Sequence, residues 1–242
     1  MGFFEDLAEA LEPCPDSRVE QLVLGWRASF VTASDGRWGV GCVPDPGLQT
    51  ARPAHTDALL AATLLQLANL LVSPFPQEFA AAGAACDALL PFPAGGFELD
   101  HIMTVARGDR VAVLGRDRDL LPFMRDWGWR VAVFDDAGKG PDCFPQEEFS
   151  RGVREADWAW LSPEALRDRW LLSTSEVLRQ KKGCFLQGPG LPCLRRSFAA
   201  LGVTHVVVPR ATAPAPAVCS HIAAGGSPWL CRGLEWRVHG TS

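Results

Sequence analysis

The sequence predicts a two-part α/β chain, in which a small α+β half over residues 1–95 is followed by a half over residues 96–242 built on a parallel sheet. Three observations predict it. Two β-prone runs flank Asp35-Gly36, a pairing that accepts the positive φ angles of a tight hairpin turn, and two helical patterns follow them. A stretch holding Pro91, Pro93, Gly95 and Gly96 then reads as a connector. From Asp109 onward short apolar runs alternate with helix-sized segments, the order that gives parallel strands with right-handed crossovers.

Taken in order, Met1 to Glu12 sets Glu5, Asp6, Glu9 and Glu12 among apolar residues and reads as an amphipathic helix, without the basic opening of a secretion signal. Arg18 to Ser34 and Arg37 to Val43 are the two arms of the hairpin. Residues 44–53, rich in Pro and Gly, read as a loop. Thr56 then caps a helix whose Leu60, Leu64, Leu67 and Leu71 recur at helical spacing, and Ser73-Pro74-Phe75-Pro76 stops it. A second helix, Gln77 to Leu90, is alanine-rich and invites close packing, and Phe97 to Arg107 crosses into the second half.

There the expected strands are Val111 to Leu114, Arg130 to Phe134, Asp157 to Leu161, Cys184 to Gln187 and Thr204 to Val208. Helices are expected over Leu120 to Trp127, ended by Gly128, around Thr174 to Gln180, and over Cys193 to Leu201, closed by Gly202. The tail from Ala211 opens with alternating Ala and Pro and offers Leu234 to Val238 as a last strand.

Composition narrows the function. The chain is 48% hydrophobic and 21% charged with a formal net charge of -5, which gives no electrostatic footprint for nucleic acid or an anionic membrane. The longest apolar segment, Ala58 to Val72, is broken by Thr63, Gln66 and Asn69 and falls short of the roughly 20 residues a bilayer crossing needs. Eight scattered cysteines with no secretory signal read as reduced thiols of a cytoplasmic protein. A homo-oligomer is compatible with all of this.

Two glycine turns stand at strand ends. Gly188-Pro189-Gly190 follows Cys184 to Gln187 and precedes a helix, so its backbone N–H groups suit a carboxylate or phosphate, although a plain turn would explain one of the glycines. Gly115 and Asp135 close the first two strands about 20 residues apart, the interval of a ribose-binding acid after a glycine turn. But Gly115-Arg116-Asp117-Arg118-Asp119-Leu120 lacks the second and third glycines, which argues against ordinary dinucleotide binding. Glu78 sits in the first turn of the alanine-rich helix, where the helix dipole alone would favour it, and Asp87 lies further along. Cys219-Ser220-His221 offers a thiolate and an imidazole without the further ligands of a zinc site. Gly138-Lys139-Gly140 lacks the rest of a P-loop, and neither a Gly-x-Ser-x-Gly elbow nor His-Glu-x-x-His occurs.

Several stretches together resemble a bacterial and archaeal family known as the "putative heavy-metal chelation domain". They are Val23-Leu24-Gly25-Trp26 and Gly39-Val40-Gly41, the segment Glu78 to Ala88, Val111 to Gly115, and Leu186 to Pro192. The resemblance implies an enolase N-terminal-like half joined to a Rossmann-like half. It also implies an interdomain cleft in which Glu78 faces the Gly-Pro-Gly loop, and a role in metal handling. The chain departs from the family pattern at Asp87, where members usually carry Asn, at Asp135, more often Glu, and at Ser162-Pro163-Glu164, which replaces a Ser/Thr/Gly-rich loop.

The expected function is binding of a small anionic or metal-chelating ligand. Gly188, Pro189 and Gly190 shape the backbone donors, Asp135 holds a hydroxyl or cation, and Glu78 is ligand or general base. One alternative is an enzyme with a nucleoside-type cofactor, such as an S-adenosylmethionine-dependent transferase using Gly115 and Asp135. The other is a non-catalytic scaffold whose cleft is filled by Trp26, Trp38 or Trp160.

Overall fold

The computed structural model describes residues 2–43, 56–100, 107–115, 119–136 and 140–241. The expected loop over residues 44–53, residues 116–118 of the turn after Gly115, and Gly138-Lys139 lie outside the described residues. The chain divides into two compact units. One comprises Met1–Ala94, Gly188–Leu194 and Val208–Glu235, and the other Gly95–Gln187, Arg195–Val207 and Trp236–Ser242.

In the first unit β1 (Val19–Leu24), β2 (Ala28–Ala33) and β3 (Trp38–Cys42) form an antiparallel sheet in that order. β2 and β3 join through Asp35-Gly36 as expected: Gly36 has a φ of 84° and Ala33 N–H donates to the Arg37 carbonyl at 2.9 Å. Arg18 to Ser34, however, is not one strand. It folds back at Gly25, whose N–H donates to the Ala28 carbonyl at 2.9 Å, and a Cβ on Gly25 would stand 2.7 Å from the Ile222 carbonyl oxygen. A residue with a side chain could not pack there without moving its neighbours.

The leucine repeat does not make one helix either. Helix α1 (Phe3–Leu11) buries Phe3, Leu7 and Leu11 as its amphipathic pattern predicts, but the next helical stretch breaks into α2 (Thr56–Ala61), α3 (Leu64–Ala68) and a 3-10 turn over Asn69–Val72. Thr56 opens α2, and its side chain lies outside the described residues. The break has a local cause. Thr63 Oγ1 accepts from Gln66 N–H at 3.3 Å while Gln66 Oε1 accepts from Thr63 N–H at 2.9 Å, a capping box that starts a new helix. In consequence Leu64, Leu67 and Leu71 are buried and Leu60 is exposed.

Alternate strand residues face opposite sides of the sheet, and both sides are covered. On one side lies α4 (Pro76–Leu89), directly on the backbone of β3: a Cβ on Gly39 would come 2.3 Å from the Ala84 carbonyl oxygen, and one on Gly41 2.1 Å from that of Ala80. On the other side Ala28, Phe30 and Val40 form a core with Val218, Cys219 and Ile222. Those three belong to a helix, Ala215–Ala223, in the segment whose prolines read as a tail. Pro214 is its cap and Pro216 stands in its first turn, where no backbone N–H is needed.

The second unit holds the larger sheet, built from β4 (Phe97–Glu98), β5 (Arg110–Leu114), β6 (Arg130–Phe134), β7 (Cys143–Phe144), β8 (Trp158–Leu161), β9 (Gly183–Gln187), β10 (His205–Ala211) and β11 (Leu234–Gly240). The unit boundary falls within β10 and β11. The strand order is β4-β11-β10-β9-β8-β5-β6-β7, with β7 through β10 parallel and β11 antiparallel to β4. All five expected strands are present, and β7 adds a sixth of two residues. Counted from β5 the parallel order is 3-2-1-4-5-6, so the winding reverses between β5 and β8. The connecting helices are α5 (Leu120–Asp126), α6 (Phe149–Glu155), α7 (Glu164–Arg167), α8 (Trp170–Leu178) and α9 (Arg195–Ala200), and the helix Ala215–Ala223 is α10. Trp160 and Trp158 of β8 pack on Phe185 of β9, at ring separations of 5.0 and 5.5 Å.

The described residues thus form a mixed α/β chain with a small antiparallel sheet and a larger, mostly parallel one. All eight cysteines are free. No helix among the described residues is long and apolar enough to cross a membrane.

Candidate functional site

Helix α4 begins with Pro76 at its first position, where a missing N–H costs nothing, and puts Glu78 in the first turn, where the helix dipole favours a carboxylate. Glu78 is fixed from outside the helix. Ser73 Oγ donates to Glu78 Oε2 at 2.6 Å and itself accepts from Phe75 N–H at 3.1 Å. Sequence reasoning passed over Ser73 as part of a proline-rich stop, so this clamp on Glu78 emerges only from the fold.

Gly83, in the middle of α4, is costly there by about 1 kcal/mol relative to alanine. Its neighbour is the reason. Gly190, 107 positions later in the chain, has a φ of 86°, and a Cβ on it would lie 2.8 Å from the Cα and carbonyl carbon of Gly83 and 3.0 Å from the Cα of Gly41. Three glycines from a helix, a strand and a turn therefore meet backbone to backbone in one unit. The same turn covers the free edge of β3: Cys42 N–H donates to the Pro189 carbonyl at 3.1 Å, and Cys193 N–H to the Leu90 carbonyl at 2.9 Å. Gly188 through Pro192 are buried.

Asp87 follows Gly83 by four residues and so lies on the same face of α4. Its Oδ2 accepts from Val40 N–H at 2.9 Å, closing the other outward N–H of β3. Burial pushes its carboxyl up to about 7, against the pull of that hydrogen bond. A carboxyl that changes charge near neutrality thus stands beside the turn's contact with the helix.

Immediately before the turn, Gln187 ends β9. Its side chain is 5% exposed, and its amide oxygen has no hydrogen-bond partner among the described residues. Buried polar atoms are almost always paired, so this oxygen is an acceptor with room for a donor beyond the described residues.

The remaining candidates belong to other elements. Gly115, with a φ of 83°, and Asp135 stand in the second unit at the carboxyl ends of β5 and β6. At the winding reversal between β5 and β8, the crook of Gly115 is occupied: a Cβ there would fall 2.3 Å from Ser162 Oγ and 2.8 Å from Glu164 Oε2. Where a dinucleotide fold brings a pyrophosphate, this chain brings a carboxylate. Cys219 faces the apolar core of the first unit, while His221 Nε2 lies 2.9 Å from the Ser227 carbonyl oxygen, so α10 points the two in different directions. Trp26 is exposed, Trp38 packs on Phe30, and Trp160 is buried in the second unit's aromatic core. Among the described residues no group of three or more His, Cys, Asp or Glu could hold a metal ion.

Two family models cover the chain. DUF364, described as "Putative heavy-metal chelation", matches residues 98–239, and DUF4213, with the same description, matches residues 5–90. The chain belongs to the DUF364 family. Similar solved structures carry the same label. A DUF364 protein of unknown function from Desulfitobacterium hafniense DCB-2 superposes with a TM-score of 0.77 at 19% identity, over 98% of this chain and 97% of that one. Another from Pyrococcus horikoshii gives a TM-score of 0.75 at 15% identity, with the same coverage. At these identities they show the fold, and the DUF364 architecture is common to all three. No curated protein matches the chain.

Proposed function

We propose that this chain binds a small anionic, metal-chelating ligand at the Gly188-Pro189-Gly190 turn, and that this binding serves metal handling. The observation that carries the reading is the orphaned, buried amide oxygen of Gln187 next to a glycine turn. A ligand with a hydroxyl or amine would supply the missing donor, and the turn's peptide groups favour its negative charge. Glu78, held by Ser73 on the helix against which the turn packs, serves as ligand or general base. The family description supports the link to metals. The lack of a side-chain metal cage among the described residues makes the metal cargo that arrives with its own chelator.

Calorimetry with citrate, nickel(II) and the nickel–citrate complex as probes tests this. The wild type should bind nickel–citrate and citrate but not free nickel, and Glu78→Ala and Gly188→Val, checked for folding by circular dichroism, should each lose binding by about tenfold or more. Unchanged affinity in both folded variants would end the proposal.

A further inference from the structure

A cavity of about 570 Å³ in the second unit takes no part in that reading. It runs along β6, where the alternate residues Arg130, Ala132 and Phe134 share one face. Small residues border it, Ala132 at its middle and Ala156 after α6, while the Phe134 ring packs directly on Gly152 of α6, where a Cβ would stand 1.9 Å from it. Phe134 in turn stacks on Phe144 at 5.6 Å, which gives the hollow an aromatic wall.

Four arginines and three acids line this hollow, and they do not cancel. Arg125 pairs with Asp142 at 3.3 Å, and Arg151 with Glu148 at 3.8 Å and Glu155 at 3.9 Å. That leaves Arg110 and Arg130, which form no carboxylate ion pair among the described residues. Arg130 Nε donates to the Gly108 carbonyl at 2.9 Å, and Asp109, the acid that feels its charge, is already held by Lys182 at 2.9 Å and by the Trp158 indole at 2.8 Å. Arg110 and Arg130 are direct register partners on β5 and β6, so two like charges face each other across one rung of the sheet. Such a pair is unfavourable until an anion sits between its members, where both guanidiniums can donate to it. The volume lies within the range of small-molecule sites, and beside the two arginines and the paired charges the lining includes an apolar stretch of Ala132, Phe134 and Phe144.

We propose that this cavity binds a small anion carried on a flat apolar body, with the charged group bridging Arg110 and Arg130 and the body lying over Ala132, Phe134 and Phe144. The arginine pair is at the amino ends of β5 and β6, whereas the Gly188 turn follows the carboxyl end of β9, so either can fail without the other.

The probe is 8-anilinonaphthalene-1-sulfonate, with the uncharged N-phenyl-1-naphthylamine as its control. The sulfonate should bind the wild type at one saturable, salt-sensitive site and shift the backbone amide signals of Ala132, Gly152 and Ala156. Arg110→Met and Arg130→Met should each weaken it by about tenfold, while leaving the weaker binding of the neutral dye unchanged. Ala132→Phe fills the hollow without touching a charge and should abolish both, which keeps the test decisive if an arginine variant fails to fold. Arg196→Met, at an exposed position of α9, should change nothing. Equal affinity for the two dyes, full sulfonate binding to both arginine variants, or amide shifts confined to other elements would each overturn the proposal.

Discussion

Asp87 should make this chain less stable as the pH rises, the reverse of the usual carboxylate behaviour. Its carboxyl sits partly buried on α4, accepts from Val40 N–H at 2.9 Å, and is pushed by burial from 3.8 up to about 7. Between those two values the folded chain holds a proton that the unfolded chain has released, so stability falls with rising pH across that window and levels off above it. At 1.36 kcal/mol per pH unit the whole span is a ceiling of about 4 kcal/mol, most of it lost between about pH 5 and about pH 8. The partial exposure of Asp87 trims this to about 2 kcal/mol. Asp87→Asn keeps the oxygen that accepts from Val40 and removes the titration. Urea unfolding of both proteins at the two pH values isolates the effect, because every other titrating group is common to them. The variant's stability relative to the wild type should rise by about 2 kcal/mol between about pH 5 and about pH 8. Equal stability at both values, or a wild type that gains on the variant as the pH rises, would refute the assignment of a neutral Asp87 in the fold.

Other outcomes follow from the same packing. Gly190→Ala must place a Cβ 2.8 Å from the Gly83 backbone at a φ of 86°, and should cost about 2–4 kcal/mol in denaturant unfolding. Thr63→Ala removes the cap that starts α3 and should cost about 1 kcal/mol, with no effect on ligand affinity. Thiol titration of the native protein should leave Cys86 and Cys184 unreacted, since both are buried and desolvation pushes their thiols up, and unfolding should release all eight.

Much of the fold was legible where a local rule and the tertiary structure agree. Asp35-Gly36 demanded a tight turn and received one, and the apolar runs ending at Leu114, Phe134, Leu161 and Gln187 are strands because both faces of a parallel sheet are buried. The misses have physical reasons. Gly25-Trp26 carries no turn pair, so its reversal is set by the close approach of the Ile222 carbonyl. The Leu60 to Leu71 periodicity hid a capping box that was spelled out as Thr63-x-x-Gln66. Pro214 and Pro216 looked like breakers but occupy the one end of a helix that tolerates them. β7, at two residues, is too short for any periodicity.

The candidate site was legible only in part. Gly188, Pro189 and Gly190 are conspicuous as a motif, but that Gly190 packs on Gly83 and Gly41 depends on three segments far apart in sequence. Likewise nothing in the local sequence marks Gln187, whose significance is a missing partner, or Asp87, whose burial raises its carboxyl. The Arg110 and Arg130 pair needs the β5 and β6 register before its two charges come face to face.

The account rests most heavily on Gln187, and a thermal melt of Gln187→Met with and without nickel–citrate tests it most directly. Removing a buried acceptor that has no donor should raise the melting temperature of the free protein, by the few degrees that about 1 kcal/mol brings to a chain of this size. It should also abolish the stabilisation that nickel–citrate gives the wild type. A lower melting temperature together with an undiminished nickel–citrate shift would contradict it.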